Sequence, residues 1–260
     1  MADSPNLAVM IKAAEKAARS LVRDFGEVEK LQISVKGPGD FVSRADRRSE
    51  EIIVESLQYD RPEWGILGEE GGEQQGEDSR YRFIIDPLDG TTNFLHGLPY
   101  WAINIALEKD GQVIAGVTFD PIRQEMFRVE KGSGTFLNRQ RLRVGGRKKL
   151  ENLIVVLNGS QPQEQPQHDI AFIYQNGCSA RIMGSAALDL AYVAAGRCDI
   201  AHITANTKPW DVGVGFLMVR EAGGTVTGLD LKPPSLDGRG FIASNADLHR
   251  AYTGLLGLPK

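Results

Sequence analysis

Cysteine is nearly absent from this chain. Its 260 residues hold two, Cys178 and Cys198, without the paired spacing of a metal knuckle. That speaks against a disulfide framework or a structural zinc site and leaves buried thiols as the better reading. Long apolar runs are missing as well, and the N-terminus Met1-Ala2-Asp3-Ser4-Pro5-Asn6 is polar and acidic, so a cytoplasmic protein without membrane segments is expected. A surplus of positive charge is lacking: the net charge of −4 gives no general reason to bind nucleic acid or membrane. The local exception is a basic run over residues 139–149, with Arg139, Arg141, Arg143, Arg147, Lys148 and Lys149. It reads as a solvated face or a sheet edge protected by charge, with an anionic partner surface as the other reading. No internal repeat is evident. With 42% hydrophobic and 25% charged residues, what remains is the composition of a globular protein with a sizeable core.

The apolar pattern predicts a helix over 7–25, on which Leu7, Met10, Ile11, Ala14, Ala18, Leu21 and Phe25 share one face. Leu31, Ile33 and Val35 alternate as in a strand, and Lys36-Gly37-Pro38-Gly39-Asp40 reads as the turn that ends it. A second helix is expected to start at Ser43, with Asp46 three residues later completing a capping pair, and to run through Ile52, Ile53 and Leu57. Residues 73–80 read as a mobile polar loop. Strands over 101–107 and 112–119, joined at Lys109-Asp110-Gly111, and shorter ones over 125–129 and 135–137 predict an antiparallel sheet. The Gln/Pro-rich stretch 161–167 reads as a flexible loop and as the best internal boundary. It divides the chain into halves 1–150 and 151–260, closely joined or forming a single domain. After a strand at 153–157, the second half alternates extended segments at 180–183, 199–203, 225–227 and 240–244 with helices at 185–195, 209–222 and 246–256. Together these indicate a layered α+β architecture.

The chemistry is concentrated in Arg82-Phe83-Ile84-Ile85-Asp86-Pro87-Leu88-Asp89-Gly90-Thr91-Thr92-Asn93-Phe94. An apolar run suited to a buried strand stops at an acidic turn, so Asp86 and Asp89 leave one strand end together. A D-P-x-D-G string is also an ordinary turn, with Pro presetting φ and Gly accepting a positive φ. Read as a site, the two carboxylates and the Leu88 carbonyl offer the sparse oxygen shell that magnesium takes, leaving other positions to water and phosphate. The amides of Gly90, Thr91 and Thr92 would meet an anion there.

The longer pattern is specific. DPLDGTTNF, preceded by Gly68-Glu69-Glu70 and followed by Pro209-Trp210-Asp211-Val212-Gly213, resembles the signature set of the inositol monophosphatase family, in the family's order along nearly the whole chain. The resemblance implies a layered α/β/α/β/α sandwich, usually a homodimer, and a magnesium-dependent, lithium-sensitive phosphatase. It implies that Glu69, Asp86, the Leu88 carbonyl, Asp89 and Asp211 hold magnesium, and that Glu69 and Thr91 orient the attacking water. Asp46 matches an outer aspartate that helps position a further metal site and Thr91. Gly90 and Thr91 would donate backbone N–H groups to phosphate, beside Asp89, Thr92 and Asp211 on the substrate side, and Gly184-Ser185-Ala186 matches the segment lining the sugar-side pocket.

TTNF points to the inositol branch, and thus to a phosphorylated polyol, myo-inositol 1-phosphate first. One departure matters: Thr204 stands where inositol-specific members usually carry a glutamate. Lys208 reads either as a phosphate-side cation or, in preference, as an exposed loop charge. The alternatives are a related phosphatase acting on fructose 1,6-bisphosphate or histidinol phosphate, and a partner in RNA polymerase antitermination or ribosome biogenesis. The basic run is the one feature favouring contact with polymerase factors or nucleic acid.

Overall fold

Proline, which breaks helices from within, opens four of the seven helices among the described residues. The computed structural model describes residues 3–32, 38–157 and 166–258. Pro5 begins α1 (Pro5–Gln32), Pro38 begins α2 (Pro38–Asp60), Pro166 begins α4 (Pro166–Gln175) and Pro209 begins α6 (Pro209–Glu221), while α3 (Thr91–Leu95), α5 (Ala186–Ala194) and α7 (Ala246–Leu255) start otherwise. The first helical residue has no intrahelical acceptor for its N–H and needs the φ that proline already has.

Three sequence expectations change for this reason. The first helix begins ahead of Leu7, with Ser4 Oγ accepting from Leu7 N at 3.3 Å. It runs on through Gln32, so Leu31 is helical and not in a strand, while Ile33 and Val35 lie outside the described residues. Pro38, Gly39 and Asp40 form the first turn of α2 instead of a loop, which puts Ser43 and Asp46 inside the helix and removes the capping pair. Pro166 and Gln167 belong to α4, and residues 161–165 of the expected loop lie outside the described residues.

The larger sheet comprises β1 (Trp64–Gly68), β2 (Gly72–Gln74), β3 (Asp78–Asp89), β4 (Ala102–Lys109), β5 (Gln112–Asp120), β6 (Glu125–Glu130), β7 (Gly134–Leu137) and β8 (Gln140–Arg141). Their order is β2-β1-β3-β4-β5-β6-β7-β8. Pairing is antiparallel except between β1 and β3, which run side by side. Much of 73–80, expected as loop, is strand. Arg141 of the basic run lies on β8, the edge strand.

The smaller sheet holds β9 (Ile154–Leu157), β10 (Ser179–Arg181), β11 (Ile200–Thr207), β12 (Thr225–Gly228) and β13 (Gly238–Ser244), in the order β10-β9-β11-β13-β12.

Strand periodicity sends neighbouring side chains into different cores. Phe83 and Ile85 face α1 and α2, packing with Met10, Leu21 and Ile53. Ile84 faces the opposite way, into a core built from α5, α6 and the inner face of the smaller sheet, including Leu188, Met218, Ala201 and Phe241. Beyond that sheet, Val155, Ile200 and Ile242 pack on Ile173 of α4 and on Leu248 and Tyr252 of α7. The result is the five-layer α/β/α/β/α order expected from the resemblance. Cys178 and Cys198 are buried free thiols. No helix among the described residues is long and apolar enough to cross a membrane.

Candidate active site

β3 delivers the central acids because from Phe83 to Leu88 it is buried, and its apolar run Phe83-Ile84-Ile85 leads straight to Asp86. Asp86 is 2% exposed, and its Oδ1 accepts from Leu88 N at 2.9 Å, an aspartate turn that closes over Pro87. The pairing of β3 with β4 slips between Asp86 and Asp89, so the strand leaves the ladder where the two acids stand. Gly90 then takes φ 96° and starts α3. A Cβ there would also meet the Tyr100 carbonyl at 2.9 Å, so glycine is required twice over. Thr91 Oγ1 donates to the Leu88 carbonyl at 3.1 Å.

Three other elements converge on this end. Glu69 sits on the turn between β1 and β2, its N–H donating to the Ile85 carbonyl at 3.1 Å, which carries the β1 to β3 pairing into the turn. Asp211 lies in the first turn of α6, where its carboxylate accepts from Lys208 N at 2.8 Å, so it caps the helix and faces the site with its remaining acceptor sites. Asp89 reaches α5: its Oδ2 accepts from Ala187 N at 2.9 Å and from Ser185 Oγ, and Ser185 in turn caps α5 by accepting from Leu188 N at 3.3 Å. Gly184 and Ala186 flank that contact. Thr91 and Thr92 are exposed at the start of α3.

Asp46 is 4% exposed inside α2, and its Oδ1 has no hydrogen-bond partner among the described residues. No hydrogen bond joins it to Thr91 among them. Lys208 pairs with Asp237 at 3.3 Å on the exposed loop, in line with the preferred reading of it. Thr204 is half-buried on β11, where pairing with β13 slips between Ile203 and Asn206.

Burial raises all of these acids, and neighbouring charges raise all but Asp211 further. Burial pushes Asp86 well above the carboxylate range, helped by the charges of Asp89, Glu69 and Asp211. Asp89 rises to about 7 through burial and the Asp211 charge, opposed by the Ser185 hydroxyl. Asp46 goes up to about 8, from burial and then from Glu69, Glu70 and Glu50. Glu69 rises through burial and the charges of Asp211, Glu70 and Glu50, against a hydrogen bond with Asp86. Asp211 rises with burial, offset by the Lys208 N–H and charge. Among the described residues no three acids are drawn together tightly enough to enclose an ion as they stand. Their coupling nonetheless fits a divalent cation: every donor is a hard oxygen, one buried oxygen is orphaned, and an added positive charge would relieve each raised acid at once.

Several residues that shape the site had no role assigned from the sequence, Asn93 among them although it lies in the signature stretch. Asn93 Nδ2 donates to the Tyr100 carbonyl at 2.8 Å and to the Met183 carbonyl at 2.7 Å, joining α3 to the segment before α5. Asn104 Nδ2 donates to the Trp210 carbonyl at 2.6 Å and seats the start of α6 on β4. Ser49 Oγ donates to the Pro87 carbonyl at 3.1 Å, and Glu50 accepts from the turn that carries Glu69. For α2 a signal existed: Asp46, Ser49, Glu50, Ile53 and Leu57 share the spacing of one helix face, so polar residues occupy positions on its buried stripe.

Residues 3–257 match the inositol monophosphatase family. The inositol-1-monophosphatase of Mesorhizobium japonicum is 49% identical over 257 residues, covering 96% of this chain and 96% of that protein. The Nus factor SuhB of Xylella fastidiosa is 41% identical over 260 residues, covering 95% of this chain and 92% of that protein. Among solved structures, extragenic suppressor protein suhB from Bartonella henselae superposes with a TM-score of 0.89 at 46% identity, covering 97% of this chain and 98% of that one.

Proposed function

The chain belongs to the inositol monophosphatase family, and from that premise we propose that it is a magnesium-dependent phosphatase of phosphate monoesters, with myo-inositol 1-phosphate as its first substrate. The observation that carries this reading is the set of acids raised by burial, Glu69, Asp86, Asp89 and Asp211, of which the first three are raised further by acidic neighbours, at the end of β3 beside the Gly90 turn.

Glu69, Asp86, the Leu88 carbonyl, Asp89 and Asp211 would hold the metal. Bound there, magnesium supplies charge stabilisation on phosphate oxygens and acidifies a water. The chain's own residues do the rest. The amides of Gly90 and Thr91, at the first turn of α3 and without intrahelical acceptors, bind phosphate oxygens. Thr91 Oγ1 and Glu69 orient the water in line with phosphorus, and Glu69 accepts the water proton. Asp89 fixes the start of α5 while facing the site, so Gly184, Ser185 and Ala186 take the polyol side. Uncatalysed phosphate-monoester hydrolysis is so slow that enhancements reach ~10²¹, whereas a general base supplies about 10²–10⁴, so positioning and charge must supply most of the effect.

The test is phosphate release, with and without magnesium, from inositol 1-phosphate, glycerol 2-phosphate, fructose 1,6-bisphosphate, histidinol phosphate and adenosine 3′,5′-bisphosphate. Magnesium-dependent preference for inositol 1-phosphate is expected. Activity centred elsewhere would keep the reaction and shift the substrate, with Thr204 as the first position to examine. A second reading, partnership in transcription antitermination, is favoured by the similarity to proteins named Nus factor SuhB. Capture of polymerase factors by an Asp86→Asn protein would separate it from catalysis.

A further inference from the structure

We propose that Glu50 is a positioning residue for Glu69: its buried carboxylate holds the turn that carries Glu69, so that Glu69 is aimed before metal and substrate arrive. The inference rests on the phosphatase reading above for its catalytic consequence, and on geometry alone for the turn.

Register defines the turn. Gly68 pairs with Gly72 at the end of the β1 and β2 hairpin, leaving Glu69, Glu70 and Gly71 as the loop. All three loop amides are committed. Glu69 N donates to the Ile85 carbonyl at 3.1 Å, Glu70 N to Glu50 Oε2 at 3.0 Å and Gly71 N to Glu50 Oε1 at 2.7 Å. One carboxylate thus takes two consecutive N–H groups, a charge-assisted pair that fixes the backbone next to Glu69.

The fit is steric as well. A Cβ on Gly68 would stand 2.6 Å from Cδ and both oxygens of Glu50, and one on Gly71 would stand 2.7 Å from Oε1. Glycine at both positions is what admits the carboxylate. Glu50 itself is 6% exposed and belongs to the α2 face that carries Asp46 and Ser49. Because Ser49 Oγ holds the Pro87 carbonyl at 3.1 Å, two consecutive residues of one helix set the Glu69 turn and the Asp86 turn relative to each other.

Stability alone gives a poor reason for this carboxylate. Glu50 has no ion pair among the described residues, and its charge raises both Asp46 and Glu69. A buried acid placed among acids costs stability, so the geometry it enforces is the better reason for its presence. Glutamine could supply only one acceptor oxygen and would turn its NH₂ toward the other amide, so the two-point grip would be lost with little change in volume.

The experiment compares the parent protein with Glu50→Gln, Glu50→Ala and, as a control on an exposed neighbour, Glu51→Gln. Hydrogen exchange over residues 68–74 in magnesium-free protein, the urea midpoint, and kcat and KM on inositol 1-phosphate are the readouts. In both Glu50 variants the Glu70 and Gly71 amides should exchange at least ~10-fold faster. kcat should fall by about 10–100-fold, with KM within about threefold and the urea midpoint of Glu50→Gln held. Glu51→Gln should match the parent throughout. Unchanged exchange, unchanged kcat despite faster exchange, or a kcat loss that only follows a lowered urea midpoint would each overturn the proposal; if Glu50→Ala does not fold, Glu50→Gln decides. A parent that releases phosphate from no substrate would instead sink the phosphatase reading, while exchange still tests the grip on the turn.

Discussion

Outside the site and apart from Asp189, the buried acids among the described residues have an arginine beside them. Asp120 meets Arg123 at 2.9 Å, Asp199 meets Arg147 at 3.0 Å and Glu108 meets Arg82 at 2.7 Å. At the end of β3 the arrangement is the reverse. Among the described residues no arginine or lysine side chain bonds Asp46, Asp86, Asp89 or Glu69, and Asp211 has the backbone N–H of Lys208 and the nearby charge of that residue. The contrast separates two uses of a buried carboxylate. Where the acid serves the fold, the chain supplies the opposite charge; at the proposed site the charges are left to repel, an arrangement that the cation of the proposed function would complete.

Removing one of the repelling acids should break the contrast most visibly. In Asp86→Asn, phosphate release at saturating magnesium should fall by at least ~10²–10³-fold, while the urea midpoint measured in chelator holds or rises, since one member of the set no longer ionises. Magnesium at 100 times its Kd should stabilise the parent by about 2.7 kcal/mol and this variant by much less. Normal turnover in Asp86→Asn would refute the assignment of the ligands. An arginine-paired acid should behave in the opposite sense. Asp120 accepts from Ile122 N at 3.0 Å and Arg123 N at 2.9 Å besides its ion pair. Asp120→Asn should therefore cost about 1.5–3 kcal/mol in urea unfolding and leave kcat in place.

A third effect, a pH dependence, concerns a buried acid of neither kind. Asp189 is 3% exposed, and its Oδ1 accepts from the Tyr100 hydroxyl at 2.8 Å. Burial pushes it from 3.8 up to about 8, against the Tyr100 bond and with the Asp89 charge. Between those values the unfolded chain has lost a proton that the folded protein keeps, so this group's contribution to stability falls as pH rises through the window and is flat below and above it. Asp189→Asn keeps an oxygen for Tyr100 and removes the titration. Relative to the parent it should gain stability from pH 5 to pH 8, by no more than ~1.4 kcal/mol per pH unit. A difference between the two urea midpoints that does not change with pH would show Asp189 ionised in the folded protein.

Much of the fold was legible because periodicity reports burial directly. The strands around β3, the hairpin at Lys109-Asp110-Gly111, and the helices α5, α6 and α7 follow from apolar spacing and local caps. Besides residues 73–80 and Leu31, the departures from the expected elements cluster at proline. Pro38 and Pro166 sit among Gly, Asp and Gln residues that suit a turn equally well, and only the chain that follows decides whether proline ends one element or starts the next. Pro209 was readable as a helix start because an apolar run follows it at once. In the site, Asp86 and Asp89 declared themselves by sharing one turn. Glu50, Ser49, Asn93 and Asn104 did not, because each acts on a backbone group remote in sequence.

By itself, then, the sequence determined the kind of chemistry: carboxylate and carbonyl oxygens at a strand end, a glycine turn beside them, and no thiol or charge surplus to suggest another. Only the tertiary structure decided that Glu69 and Asp211 come within electrostatic reach of Asp86, that Asp46 is buried with an oxygen unpartnered among the described residues, and that α2 grips both turns of the site. The reason is physical. Residue type and spacing fix what a side chain can donate or accept, but which charges must share one low-dielectric space is set by the packing of the layers.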